Sequence, residues 1–140
     1  MSIISSVRDF LLTCPLFDDI PITVDYLPSS ATEASIEAIP VPYTVKQYTD
    51  GSKICNYQFV VAVRFPWYSD ENEGISCSKW FEDFSTWLEI QSNLNNLPNL
   101  PDGLSPISIY AVPNRFGTDG KNSSARYQMV CRLTFFKDKP

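Results

Sequence analysis

Lys53-Ile54-Cys55-Asn56-Tyr57-Gln58-Phe59-Val60-Val61-Ala62-Val63-Arg64-Phe65 is the stretch on which the fold turns. Every second residue, from Cys55 through Tyr57, Phe59, Val61 and Val63 to Phe65, makes one apolar face. The other face mixes Asn56, Gln58 and Arg64 with Val60 and Ala62. A period of two, rich in β-branched and aromatic residues, is the pattern of a strand, and one dry face beside a wetter one is that of a sheet covered on one side. Immediately upstream, Asp50-Gly51 supplies a hairpin turn. The segment Ser35 to Tyr48, carrying Ile36, Ile39, Val41, Tyr43 and Val45, is therefore read as the strand that folds back onto it. Pro40 and Pro42 each lack a ladder donor, so that strand runs along an edge or bends there.

Working outward, Pro66 to Gly74 reads as an acid-rich loop, after which Ser76 or Ser78 caps a helix. Trp80, Phe81, Phe84, Trp87, Leu88, Gln91 and Leu94 follow the helical period, with Glu82, Asp83 and Glu89 turned away, and Asn95-Asn96-Leu97-Pro98 ends the helix. Ile107 to Val112 is a further strand, and Tyr127, Met129, Cys131, Leu133 and Phe135 alternate along the last one. Between them, Pro113 to Ser124 carries Gly117 and Gly120 and little that is apolar besides Phe116, and reads as a long exposed loop. Toward the N-terminus, Ile22 to Tyr26 alternates as a short strand that stops at Pro28, and Ser29 to Glu33 is turn-like. Ser2 opens a helix with Ile3, Val7, Phe10, Leu11 and Cys14 on one face, closed by Pro15. This order predicts an α+β fold, a mainly antiparallel sheet with two helices packed on one face, in a single domain over residues 1–140 with a flexible loop at 113–124.

Composition narrows the chemistry. With 44% hydrophobic and 19% charged residues the 140-residue chain is far from the disordered class. Histidine is absent, which removes the commonest general base, the usual zinc ligand and every Ser-His or Cys-His pair. Cys14, Cys55, Cys77 and Cys131 are scattered without any metal spacing, so no metal site, cofactor or catalytic constellation is expected, and reduced thiols in a reducing compartment fit best. No apolar run is long enough to span a bilayer, and Arg8-Asp9 interrupts the opening stretch that an export signal would need. The loop Asp70-Glu71-Asn72-Glu73-Gly74 mimics a calcium loop, but its glycine comes a residue early and Phe81 stands where the bidentate acid belongs, so these acids read as loop and helix-start charges. Arg115, Lys121 and Arg126 beside Phe116 and Tyr127 are too few, in a chain of net charge -5, to make a nucleic-acid surface. Trp67 and Tyr68, at the end of the longest strand, either plug the sheet or anchor an interface.

A further set of strings extends over nearly the whole chain: Val24-Asp25-Tyr26-Leu27, Ile36-Glu37-Ala38-Ile39-Pro40, Lys46-Gln47-Tyr48-Thr49-Asp50-Gly51-Ser52, Phe84-Ser85-Thr86-Trp87-Leu88, Asn96-Leu97-Pro98, and Ala125-Arg126-Tyr127-Gln128-Met129-Val130-Cys131-Arg132-Leu133. The succession resembles the small minor capsid or tail terminator proteins of long-tailed phages and prophages of Gram-positive bacteria. The resemblance implies a structural protein rather than an enzyme, a ring, usually of six subunits, that caps the tail tube, stops its polymerisation and gives the filled head a docking surface. Its partners would be itself, the tail tube protein and a head completion or neck protein. Its place would be the head-proximal end of the virion tail, assembled in the bacterial host cytoplasm, and a neck layer is the nearest alternative. Tyr43, Val45, Trp67 and Tyr68 are the candidate subunit interface, and Arg115, Phe116 and Lys121 the candidate tail-tube contact loop.

Overall fold

The computed structural model describes residues 2–18, 20–24, 33–39, 44–66, 71–111, 117–121 and 124–139. Two 14-residue strands, β4 (Lys53–Pro66) and β7 (Ser124–Lys137), form its spine. They pair antiparallel along their full length, from Lys53 opposite Lys137 to Pro66 opposite Ser124, a ladder about 45 Å long. Each side of the spine then carries two short strands in line. Beside β4 lie β2 (Glu33–Ala38) and β3 (Thr44–Gln47), and beside β7 lie β5 (Leu104–Ala111) and β6 (Gly117–Lys121). β1 (Ile22–Val24) adds to the outside of β2 in parallel, which makes a mixed, mostly antiparallel sheet of seven strands.

Where the sequence suggests one strand from Ser35 to Tyr48, two are found. β2 starts at Glu33, inside the stretch read as a turn, and pairs with the far half of β4, while β3 pairs with its near half; Pro40 and Pro42 fall between them, outside the described residues. Of these two, β3 is the edge among the described residues, since β2 is covered by β1. The hairpin forms as expected. Gly51 takes φ 95, a conformation glycine adopts without the Cβ penalty, and its N–H reaches the Tyr48 carbonyl at 3.0 Å.

Both helices lie on the Phe59 face of the sheet. α1 (Ile3–Leu11) opens on a capping box in which Ser5 N–H donates to Ser2 Oγ and Ser2 N–H to Ser5 Oγ. A single 3-10 turn, Pro15–Phe17, follows it. α2 (Glu71–Asn93) begins earlier than Ser76, so residues 71–74 are helical and not part of a loop. The core is one cluster: Val7, Phe10, Leu11 and Cys14 from the first helical segment, Phe81, Phe84 and Leu88 from α2, and Cys55, Phe59, Val61, Val63, Cys131, Leu133 and Phe135 from the spine. Rings lock the helices to one another, with Phe10 5.1 Å from Trp87, and Phe17 edge-on to both Trp80 at 5.3 Å and Phe84 at 5.6 Å.

The C-terminal end of α2 is set by backbone chemistry. Asn95 adopts φ 56, the Asn96 N–H returns to the Gln91 carbonyl at 2.9 Å and the Asn95 N–H to that of Ser92 at 3.1 Å, the paired bonds that close a helix through a left-handed residue. The stretch 113–124 is not wholly a loop: residues 117–121 form β6, which runs back along the start of β7 from Gly117 opposite Gln128 to Lys121 opposite Ser124. A polar, Gly-bearing sequence conceals this strand, because its ladder is held by main-chain bonds rather than by an apolar face.

Candidate interaction surface

The helices leave the second face of the sheet uncovered by secondary structure among the described residues. Its centre is built from the even-numbered residues of the spine. Ile54 stands opposite Phe136, Asn56 opposite Thr134, Gln58 opposite Arg132, and Val60 opposite Val130. Thr134 Oγ1 donates to Asn56 Oδ1 at 2.9 Å, a cross-strand side-chain pair. Tyr110 of β5 extends the Gln58–Arg132 row and is 43% exposed. The face is graded along its length. Toward the β1 corner, Ser35 and Ala62 are completely buried, and Ser35 Oγ donates to Glu37 Oε2 at 2.9 Å.

Toward the β3 corner it opens. All four residues of β3 are exposed, Val45 at 58%. Lys46 Nζ lies 5.1 Å above the Tyr48 ring, which in turn meets Phe136 at 6.4 Å. The adjacent turn is stiffened by Asp50, whose Oδ1 accepts from the Ser52 N–H at 2.9 Å and the Ser52 hydroxyl at 2.6 Å. The hydroxyl contact, followed by the N–H, holds this exposed carboxyl below its ordinary value.

The two edges of the sheet differ in how they are finished. At β5, Ser92 Oγ of α2 donates to the Ile109 carbonyl at 2.7 Å and accepts from the Ile109 N–H at 2.8 Å, so a helix side chain supplies the ladder partner that the edge strand lacks. At β3 no helix does so among the described residues; the strand is instead short, carries Lys46 and has a register shift between Thr44 and Lys46, the usual guards against a foreign strand.

Of the residues singled out in the sequence, Val45 sits on this exposed corner, while Tyr43, Trp67, Tyr68, Arg115 and Phe116 lie outside the described residues. Lys121 closes β6 opposite Ser124, in a strand and not in a loop. Sequence reasoning missed Tyr48 and Phe136. Their signal was available only through register, since they are far apart in the chain and meet because β3 and β7 flank the same end of β4.

A pocket of about 350 Å³ lies on the other side of the molecule, between α1 and the turn after α2. Phe10, Leu97 and Pro98 give it an apolar floor, and Ser6, Asp9, Thr13, Asn96 and Asn99 its polar wall. Among the described residues no group of three acids or cysteines gathers to hold a metal ion, and no helix is long and apolar enough to cross a membrane. Neither models of known protein families nor curated proteins match this chain.

Proposed function

We propose that the chain is a structural ring subunit that caps the tail tube of a long-tailed phage, stops its growth and presents a surface to the head. The reading rests on the sequence strings given above, and the structural observation that carries it is the exposed β3 corner, where Val45 is 58% and Tyr48 37% exposed and Tyr48 meets the half-buried Phe136. A ring needs one heterologous contact repeated about an axis. A sheet with a short, exposed edge strand offers such a contact. Because β3 carries a bulge and a lysine, the contact would be made through side chains and not by continuing the ladder. The expected partners are further copies of this chain, the tail tube protein and a head completion protein.

Electron micrographs of a lysate lacking the protein test it directly. Loss of a cap removes the stop signal, so overlong tails unattached to filled heads are expected. Tails of normal length joined to heads would sink the reading, and tailless heads without long tubes would move the protein to the neck. Lys121→Glu tests the tube contact without stripping β6 from the sheet, as removal of residues 117–121 would.

A further inference from the structure

We propose that the pocket between α1 and the turn after α2 is a receptor for a guanidinium group. Two of the pocket's hydroxyls have already spent their hydrogens. Ser6 Oγ donates to the Ser2 carbonyl at 3.1 Å, and Thr13 Oγ1 to the Phe10 carbonyl at 2.6 Å; a carbonyl can only accept, so toward a further group each hydroxyl acts as an acceptor. Asp9 adds a carboxylate. The Asn96 amide gives one hydrogen to Gln91 Oε1 and, like Asn99, can accept as well as donate. A ligand that is all donor and positively charged suits the two hydroxyls, the carboxylate and the amide oxygens together.

Three features select guanidinium within that class. A divalent cation requires more carboxylates than the single one present. A compact ammonium would fill a small part of about 350 Å³. The planar guanidinium carries five donors in a fork that matches a carboxylate bidentately, and its flat faces suit the apolar floor of Phe10 and Leu97. Asp9 is held by Arg8 only through one exposed contact at 3.4 Å, too weak to keep an incoming guanidinium away.

Two sources carry this chemistry, a free small molecule and an arginine side chain on a partner protein. The full chain is titrated with L-arginine amide, with a blocked Gly-Arg-Gly peptide and with citrulline amide, which has the same shape without the charge, and backbone amide shifts are followed. Saturable shifts confined to residues 6–13 and 96–99 are expected with both arginine probes and not with citrulline amide. Asp9→Asn, an exposed helix position whose change leaves the fold intact, should weaken binding at least fivefold, and Thr13→Val should weaken it further. Equal binding of citrulline amide, an unaltered affinity in Asp9→Asn, or shifts elsewhere in the molecule would overturn the proposal. Tighter binding of the blocked peptide supports a partner protein's arginine as the source, and tighter binding of arginine amide supports a small molecule.

Discussion

At the scale of single residues, the buried polar atoms are the informative ones. Ser92 is half-buried and bonds to both main-chain groups of Ile109, so Ser92→Ala leaves a donor and an acceptor without partners at the β5 edge. A loss of about 1–3 kcal/mol is expected in urea denaturation. Cys14 is fully buried, and that burial pushes its thiol from 9.0 up to about 11 against the opposing pull of the Leu16 and Phe17 backbone. The folded chain then holds a proton that the unfolded chain releases, so stability is intact below pH 9 and falls between pH 9 and about 11, by at most roughly 1.4 kcal/mol per pH unit from this group. Burial raises Cys131 further still, in the same direction. Denaturation at stepped pH should show this slope, shallower in Cys14→Ala, and iodoacetamide at pH 8 should leave both thiols nearly untouched until the chain unfolds.

At the scale of elements, charge and handedness decide what the apolar pattern does not. Across the near end of the sheet the register runs Gln47, Lys53, Lys137, Leu104, so two lysines are directly opposed between uncharged neighbours. Like charges facing across strands repel. Lys137→Glu should therefore stabilise the protein by about 0.5 kcal/mol, measured as a raised denaturation midpoint that shrinks in high salt. The stop of α2 gives a second case. Asn95 sits at φ 56 to close the helix, so Asn95→Gly should be neutral or slightly stabilising, while Asn95→Val should cost about 1–2 kcal/mol.

At the scale of the whole molecule, packing and assembly can be separated by where a substitution falls. Phe84 is fully buried in the core, with the rings of Phe17, Trp80 and Trp87 around it, and Phe84→Ala should cost about 3–5 kcal/mol by thermal or chemical denaturation. Val45 is exposed at the corner, so Val45→Asp should leave the circular dichroism and the midpoint unchanged while light scattering reports smaller oligomers. An unchanged particle size in Val45→Asp would remove that corner from the proposed ring. The three described cysteines, Cys14, Cys55 and Cys131, are free thiols, and titration after denaturation without reductant should find them so, with Cys77 the fourth.

The sequence by itself determined that this is an α+β molecule with one dry sheet face, because alternation in residues 53–65 and 127–135 and the helical spacing from Trp80 to Leu88 are local properties that need no partner to be read. It determined the hairpin at Asp50-Gly51 for the same reason. Tertiary structure alone decided the rest. The strand at 117–121 has almost no side-chain signal and exists through its ladder with β7; the division of 33–47 into β2 and β3 depends on which half of β4 each part reaches. The exposed corner and the polar pocket are likewise products of register and of helix docking. They join residues as distant as Tyr48 and Phe136, or Asp9 and Asn96, whose proximity no local pattern encodes.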